Sequence, residues 1–133
     1  MADLSQRDLY LLVNLRQSPL WLTGVNLAGA RMHRIDLTQA DLWHSNLSGA
    51  DLTMANLNSA HLDHADLSGA DLGGADLGYA SLIQADLRGA NFEGANLEGT
   101  ALGSAHYDST SRWPKDFDPA EAGATLVDGH PRS

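Results

Sequence analysis

Along residues 20–109 the apolar positions of this chain recur every five residues, a pattern plain in the run Ala65-Asp66-Leu67-Ser68-Gly69-Ala70-Asp71-Leu72. Eighteen pentads follow one another without insertion, and the middle residue is Leu in all but three, where Met32, Phe92 and Tyr107 stand. Ala precedes it by two positions in 13 pentads, and Asp or Asn sits between them in 12. A period of five suits neither standard element. A helix of 3.6 residues per turn rotates successive Leu residues by roughly 140° and scatters them around its circumference. A flat strand alternates them between its two faces. Every Leu lies on one side only if each pentad makes the same bend. The backbone then winds as a coil with Leu and Ala inside, and with Asp, Asn and two freer positions outside.

The number of pentads per turn is written in a longer period. Gly29, Gly49, Gly69 and Gly89 recur at a spacing of 20, always in the fifth slot, and Asp36, Asn56, Asp76 and Asn96 recur likewise. Four pentads per turn stack each set in a column. Tandem Ala-(Asp/Asn)-Leu-x-x is the signature of the pentapeptide repeat family, which the chain resembles over about two-thirds of its length. The resemblance implies an all-β solenoid: a right-handed quadrilateral parallel β-helix with Leu as the central inward residue and Ala as the second. On this reading residues 1–19 are an N-terminal helical cap, residues 20–109 a β-helix of about 4.5 coils, and residues 110–133 a C-terminal cap and mobile tail. At roughly 4.8 Å per coil the β-helix is a squat block about 20 Å long.

The opening predicts a capped α-helix. Ser5 is a good N-cap, Asp8 lies three residues on, and Leu4 with Leu9 has the spacing of a hydrophobic staple. Leu9, Leu12 and Val13, flanked by Leu11 and Leu15, give a broad apolar face, and Pro19 stops the helix soon after. The first coil of a parallel β-helix exposes unpaired strand edges that template aggregation, so a terminal cap is expected there. Leu20, Val25 and Ile35 replace Ala in that coil and offer the helix apolar bulk. At the other end Trp113 and Phe117 lie in a segment similar to the tail that closes many bacterial pentapeptide repeat proteins. They are the expected plug over the last coil, and residues after about Gly123 are the expected mobile tail. Relatives that dimerise through this end imply a monomer or a homodimer joined there.

Composition narrows the function classes. A length of 133 residues fits one domain. A net charge of −9 argues against nucleic acid as a direct ligand, because binding phosphates needs clustered Lys and Arg. The acid is concentrated in residues 20–109, which hold 11 acidic and 3 basic residues. The absence of cysteine excludes disulfides, thiolate catalysis and Cys-based zinc sites. No basic start leads into an apolar run, and no stretch approaches a membrane span, so no membrane association and a cytoplasmic, bacterial setting are expected.

Stacking residues 20 apart lets the outer surface be drawn. Three faces carry small residues, Asp and Asn ladders and Gly columns. In one ladder charged Asp36 and Asp76 alternate with neutral Asn56 and Asn96, which separates like charges one coil apart. In another, Asp66 and Asp86 are adjacent but Arg88 is close by. The fourth face differs. It carries Trp21 and Asp41, and a candidate interaction set of Trp43, His44, His61, Asp63, His64 and Ile83. Exposed aromatics beside polar groups are what partner surfaces look like.

Catalysis wants a concave, water-excluding site, whereas this fold fills its interior with Leu and Ala and presents a nearly planar exterior, so no catalytic residue, no cofactor and no enzyme are expected. The leading expectation is a non-enzymatic structural or protein-interaction module that shows a patterned acidic surface to a protein partner. A second reading takes the acidity as imitation of duplex DNA directed at DNA gyrase or topoisomerase, as the resemblance to the quinolone-resistance members implies. The chain is shorter than those members, and Asn replaces part of its acid. A third reading makes His44, His61 and His64 a metal-binding or pH-sensing patch, since imidazoles titrate near neutrality. No residue is assigned as a metal ligand, because His61-x-x-His64 is not on a helix.

Overall fold

A computed structural model describes residues 5–14 and 20–127. Within it the pentads wind as a four-sided coil. Parallel bridges join residues 20 apart in four columns, among them Trp21 to Asp41 to His61 to Ser81, Asn26 to Asn46 to Asp66 to Asp86, Arg31 to Asp51 to Asp71, and Asp36 to Asn56 to Asp76. Each side of the coil is therefore a short parallel ladder. Leu42, Leu62 and Leu82 stack on one side, Leu47, Leu67 and Leu87 on the next, Met32, Leu52, Leu72 and Phe92 on the third, and Leu37, Leu57 and Leu77 on the fourth. All are buried, with the first-slot Ala of most pentads filling the corners. Burying one such Leu stabilises the fold by about 1.5–3 kcal/mol relative to leaving it exposed.

The hydrogen bonds explain the consensus slot by slot. The first-slot amide closes the turn onto the Leu carbonyl of the preceding pentad, as Ala70 N–H does to Leu67 at 3.0 Å. The second-slot amide bonds the coil before it, Asp71 N–H to Ala50 at 2.9 Å. The third and fifth bond the coil after it, Leu72 N–H to Asn91 at 2.7 Å and Gly74 N–H to Glu93 at 2.9 Å. The fourth-slot amide has no backbone acceptor in this scheme. It bonds instead to the second-slot side chain, as Gly73 N–H does to Asp71 Oδ1 at 3.0 Å, and the same bond recurs in every pentad with Asp or Asn there. Asp and Asn are both accepted because the turn needs only the side-chain oxygen.

The fifth slot carries positive φ throughout, from Gly24 at 72° to Ser104 at 55°. With the fourth slot on the ordinary side, this is the third residue of a type II turn, where glycine is strain-free. That accounts for the Gly columns.

The helix α1, Gln6–Asn14, begins as expected: Ser5 Oγ accepts from Asp8 N–H at 3.0 Å. Leu9 is 1% exposed and joins the Leu core. Gln6 reaches the edge of the first coil and holds both backbone groups of Arg31, donating to its carbonyl at 2.6 Å and accepting its amide at 2.9 Å. A side-chain amide thus occupies the place of a missing strand. Leu11 faces outward instead of joining the apolar side. Leu4, Leu15 and Pro19, and the side chains of Leu12 and Val13, lie outside the described residues.

The C-terminal end requires a correction. The ladder does not stop at residue 109, and the chain after Gly123 is not a free tail up to Val127. Arg112 pairs with Asn91, a spacing of 21 that marks one inserted residue, and this insertion is what breaks the pentad pattern in sequence. Trp113 then falls in the inward slot and stacks on Phe92 at 4.8 Å, with Phe117 against it at 5.4 Å. Strand β1, His106–Tyr107, pairs in parallel with β2, Thr125–Leu126. Ala124 is buried over this column, and Thr125 and Val127 N–H each bond the coil below at 2.7 Å, which holds the segment in place. Residues 128–133 lie outside the described residues.

Two outcomes follow for stability. Ser45 stands where Ala is the rule, 1% exposed, and its hydroxyl has no hydrogen-bond partner among the described residues. Ser45→Ala is expected to raise unfolding stability by about 1 kcal/mol in denaturant titrations, and a loss of stability would contradict this. The second concerns acid. The Thr53 hydroxyl and then its amide hold the Asp51 carboxyl below its ordinary value, and the Arg88 guanidinium at 2.6 Å does the same for Asp86 against the burial that raises it. Groups depressed on folding contribute stability that is complete above the unfolded value near pH ~4 and is lost as pH falls through the folded values. The melting temperature should hold from pH ~7 to ~5 and drop below pH ~4, and Asp51→Asn should blunt that drop. A melting temperature that rises on acidification would contradict the assignment.

Candidate functional site

Because the fold demands Asp or Asn in the second slot, the places that lack it are informative. Trp21, His61, Ser81 and Ala101 occupy that slot in one column, on the side that also carries Asp41. Elsewhere only Arg31 and His106 depart from it. The departures from what the backbone requires are therefore gathered on one face. Residues released from folding duty are where function is sought.

This face contains the whole candidate set. The fifth-slot positions place His44 and His64 one above the other with φ of 59° and 62°, their imidazoles stacked at 4.9 Å and 14°. Trp43 meets both edge-on, His44 at 4.1 Å and His64 at 5.8 Å. The indole thus orients the two imidazoles, which the sequence alone did not indicate. His61 does not join this ring cluster. It lies on the other side of Trp43, beside Asp41 in the ladder.

Asp63 has a structural part as well. The Ser81 hydroxyl does not cap its own turn but donates to Asp63, and Asp63, one coil earlier, supplies the acceptor instead. Its Oδ1 takes Ile83 N–H at 3.0 Å and the Ser81 hydroxyl. Ile83, 41% exposed, continues the column. The structure thus gathers the six candidates on one face but divides them between a Trp43–His44–His64 stack, an Asp63–Ser81–Ile83 network and the separately placed His61.

The nearly planar exterior expected from the sequence does not hold on this face. Trp21, 75% exposed, and Trp43, 44% exposed, stand above small neighbours such as Thr23 and wall an open groove of about 500 Å³. Asp41, Asp63, His61 and Gln39 complete its lining. The part of Gln39, at the corner with the neighbouring face, was not read from the sequence. The second-slot departures were the available signal, and they acquire meaning only once the turn hydrogen bond is known. Among the described residues no three His, Asp or Glu side chains converge to hold a metal ion. No described helix is long and apolar enough to cross a membrane.

Comparison with known proteins agrees with this architecture. The family model for pentapeptide repeats matches over residues 22–53, 35–74 and 65–103. No curated protein sequence matches the chain. Among solved structures, a pentapeptide repeat protein of the cyanobacterium Cyanothece 51142 is 37% identical, with a TM-score of 0.72 over 73% of this chain and 66% of its own. A pentapeptide repeat protein of Nostoc PCC 7120 is 34% identical over 96% of this chain and 98% of its own, with a TM-score of 0.62. A third, from the thylakoid lumen of Arabidopsis thaliana, is 33% identical over 68% of this chain and 67% of its own, with a TM-score of 0.57. The repeat, the four-column ladder and these likenesses together show that the chain belongs to the pentapeptide repeat family.

Proposed function

We propose that this chain is a non-enzymatic interaction module. A right-handed four-sided β-helix, closed at one end by α1 and at the other by Trp113 and Phe117, presents the Trp21–Trp43–His44–His64 face to a protein partner in the cytoplasm. It acts as a monomer, or as a homodimer joined at the C-terminal end, and needs neither metal nor cofactor. The observation that carries the reading is the coincidence on one face of the second-slot departures with two exposed indoles. Aromatic side chains of this exposure, flanked by polar groups, are the anchors on which protein association depends.

The acid of the remaining faces is read as part of the fold rather than as imitation of DNA. Asp oxygens there are engaged by turn amides, and Asn does the same service one coil away, as in Asp76 and Asn96. A surface selected to mimic phosphate would not exchange charge for amide so freely.

The test uses a partner recovered by affinity capture and then titrated against purified protein. Trp43→Ala is expected to weaken binding at least tenfold, as truncation of an interface anchor does, whereas Tyr79→Ala, a more exposed aromatic outside the groove lining, leaves it unchanged. Weakening by the Tyr79 variant alone would remove the face from consideration.

A further inference from the structure

The groove on this face has a charge pattern that specifies what enters it. In the second-slot column Trp21 pairs with Asp41 and Asp41 with His61. In the fourth-slot column Thr23, Trp43 and Asp63 succeed one another, since Gly24 N–H bonds the Trp43 carbonyl and His44 N–H that of Asp63. The result is two parallel diagonals, Trp21 to Trp43 and, one coil on, Asp41 to Asp63. Diagonal neighbours on a sheet lie roughly 7–8 Å apart. That is about the span of a flat group with a contact of ~3.5–4 Å on each side.

Each carboxylate is half used. Asp41 Oδ1 takes Trp43 N–H at 3.1 Å, and Asp63 Oδ1 takes Ile83 N–H and the Ser81 hydroxyl. The second oxygen of each has no hydrogen-bond partner among the described residues, and no Lys or Arg lines the groove. An aromatic pair beside two carboxylates with no Lys or Arg in the lining, in a protein of net charge −9, selects for a cation.

The geometry points to the groove as a receptor for an arginine side chain of the protein partner. The guanidinium lies against the Trp21 and Trp43 indoles and donates to Oδ2 of Asp41 and of Asp63. Arginine fits better than lysine, because a planar fork both stacks on indole and reaches two acceptors at once. A sugar would also stack on the indoles, but it draws nothing from paired negative charge. This inference rests on the proposed partner face and gives its chemistry.

The probe is the capped tripeptide acetyl-Gly-Arg-Gly-amide, followed by the three indole N–H signals in two-dimensional NMR. Trp113, packed on Phe92 at the far end, is the internal reference. The expected result is a saturable shift of the Trp21 and Trp43 signals with Trp113 unmoved, suppressed by salt, and absent with the isosteric citrulline peptide. Asp41→Asn keeps the oxygen that caps the turn and removes the charge, so it should preserve folding and weaken the arginine peptide about tenfold. Equal shifts with citrulline, shifts with a neutral oligosaccharide instead, or no shift at all would overturn the inference. The two proposals fail separately. A captured partner lost on Trp43→Ala but indifferent to Asp41→Asn and to salt leaves the face standing and removes the arginine; indifference to both variants removes the face.

Discussion

Each turn of the coil leaves one amide that the backbone cannot satisfy. Four of the five N–H groups in a pentad find carbonyls, three in neighbouring coils and one across the turn. The fourth-slot N–H points away from the ladder and depends on the side chain two residues before it. Buried or half-buried amides without a partner are costly, and a solenoid repeats the cost at every bend. The Asp/Asn slot is therefore as much a condition of the fold as the Leu slot. Leu supplies the driving force for coiling, and the side-chain oxygen makes the bend compatible with burial.

This constraint also separates fold from function on the surface. Where Asp and Asn are kept, as along Asp51 and Asp71 or Asn56 and Asp76, the outer face is occupied with closing turns. One column gives them up at Trp21, His61, Ser81 and Ala101, and the structure compensates where it must, by bringing Asp63 across to the Ile83 amide. The released positions hold the exposed indole of Trp21 and the imidazole of His61, and the groove forms between Trp21 and Trp43. The ends obey the same logic. Gln6 offers its amide to Arg31 as a strand would, and Trp113 continues the inward stack above Phe92.

Much of this was legible in the sequence because the repeat is nearly free of exceptions. The four-sided winding followed from the 20-residue recurrence of Gly29, Gly49, Gly69 and Gly89, and the gathering of Trp43, His44, His61, Asp63, His64 and Ile83 on one face followed from that winding. The continuation past residue 109 was not legible, because a single inserted residue before Arg112 shifts the register and ends the visible period while the ladder goes on. The division of labour within the candidate face was hidden for a different reason. That Asp63 caps a foreign turn, and that Trp43 orients two imidazoles, depends on contacts between coils, which a pentad pattern does not encode.

The most direct test of the central constraint is the unfolding free energy of Asp76→Ala beside Asp76→Asn. Gly78, whose amide bonds Asp76 Oδ1 at 2.9 Å, is buried, so solvent is poorly placed to replace the lost acceptor. The alanine variant should lose about 1–2 kcal/mol while the asparagine variant stays within about 0.5 kcal/mol of the parent. Equal stability of all three proteins would contradict the account.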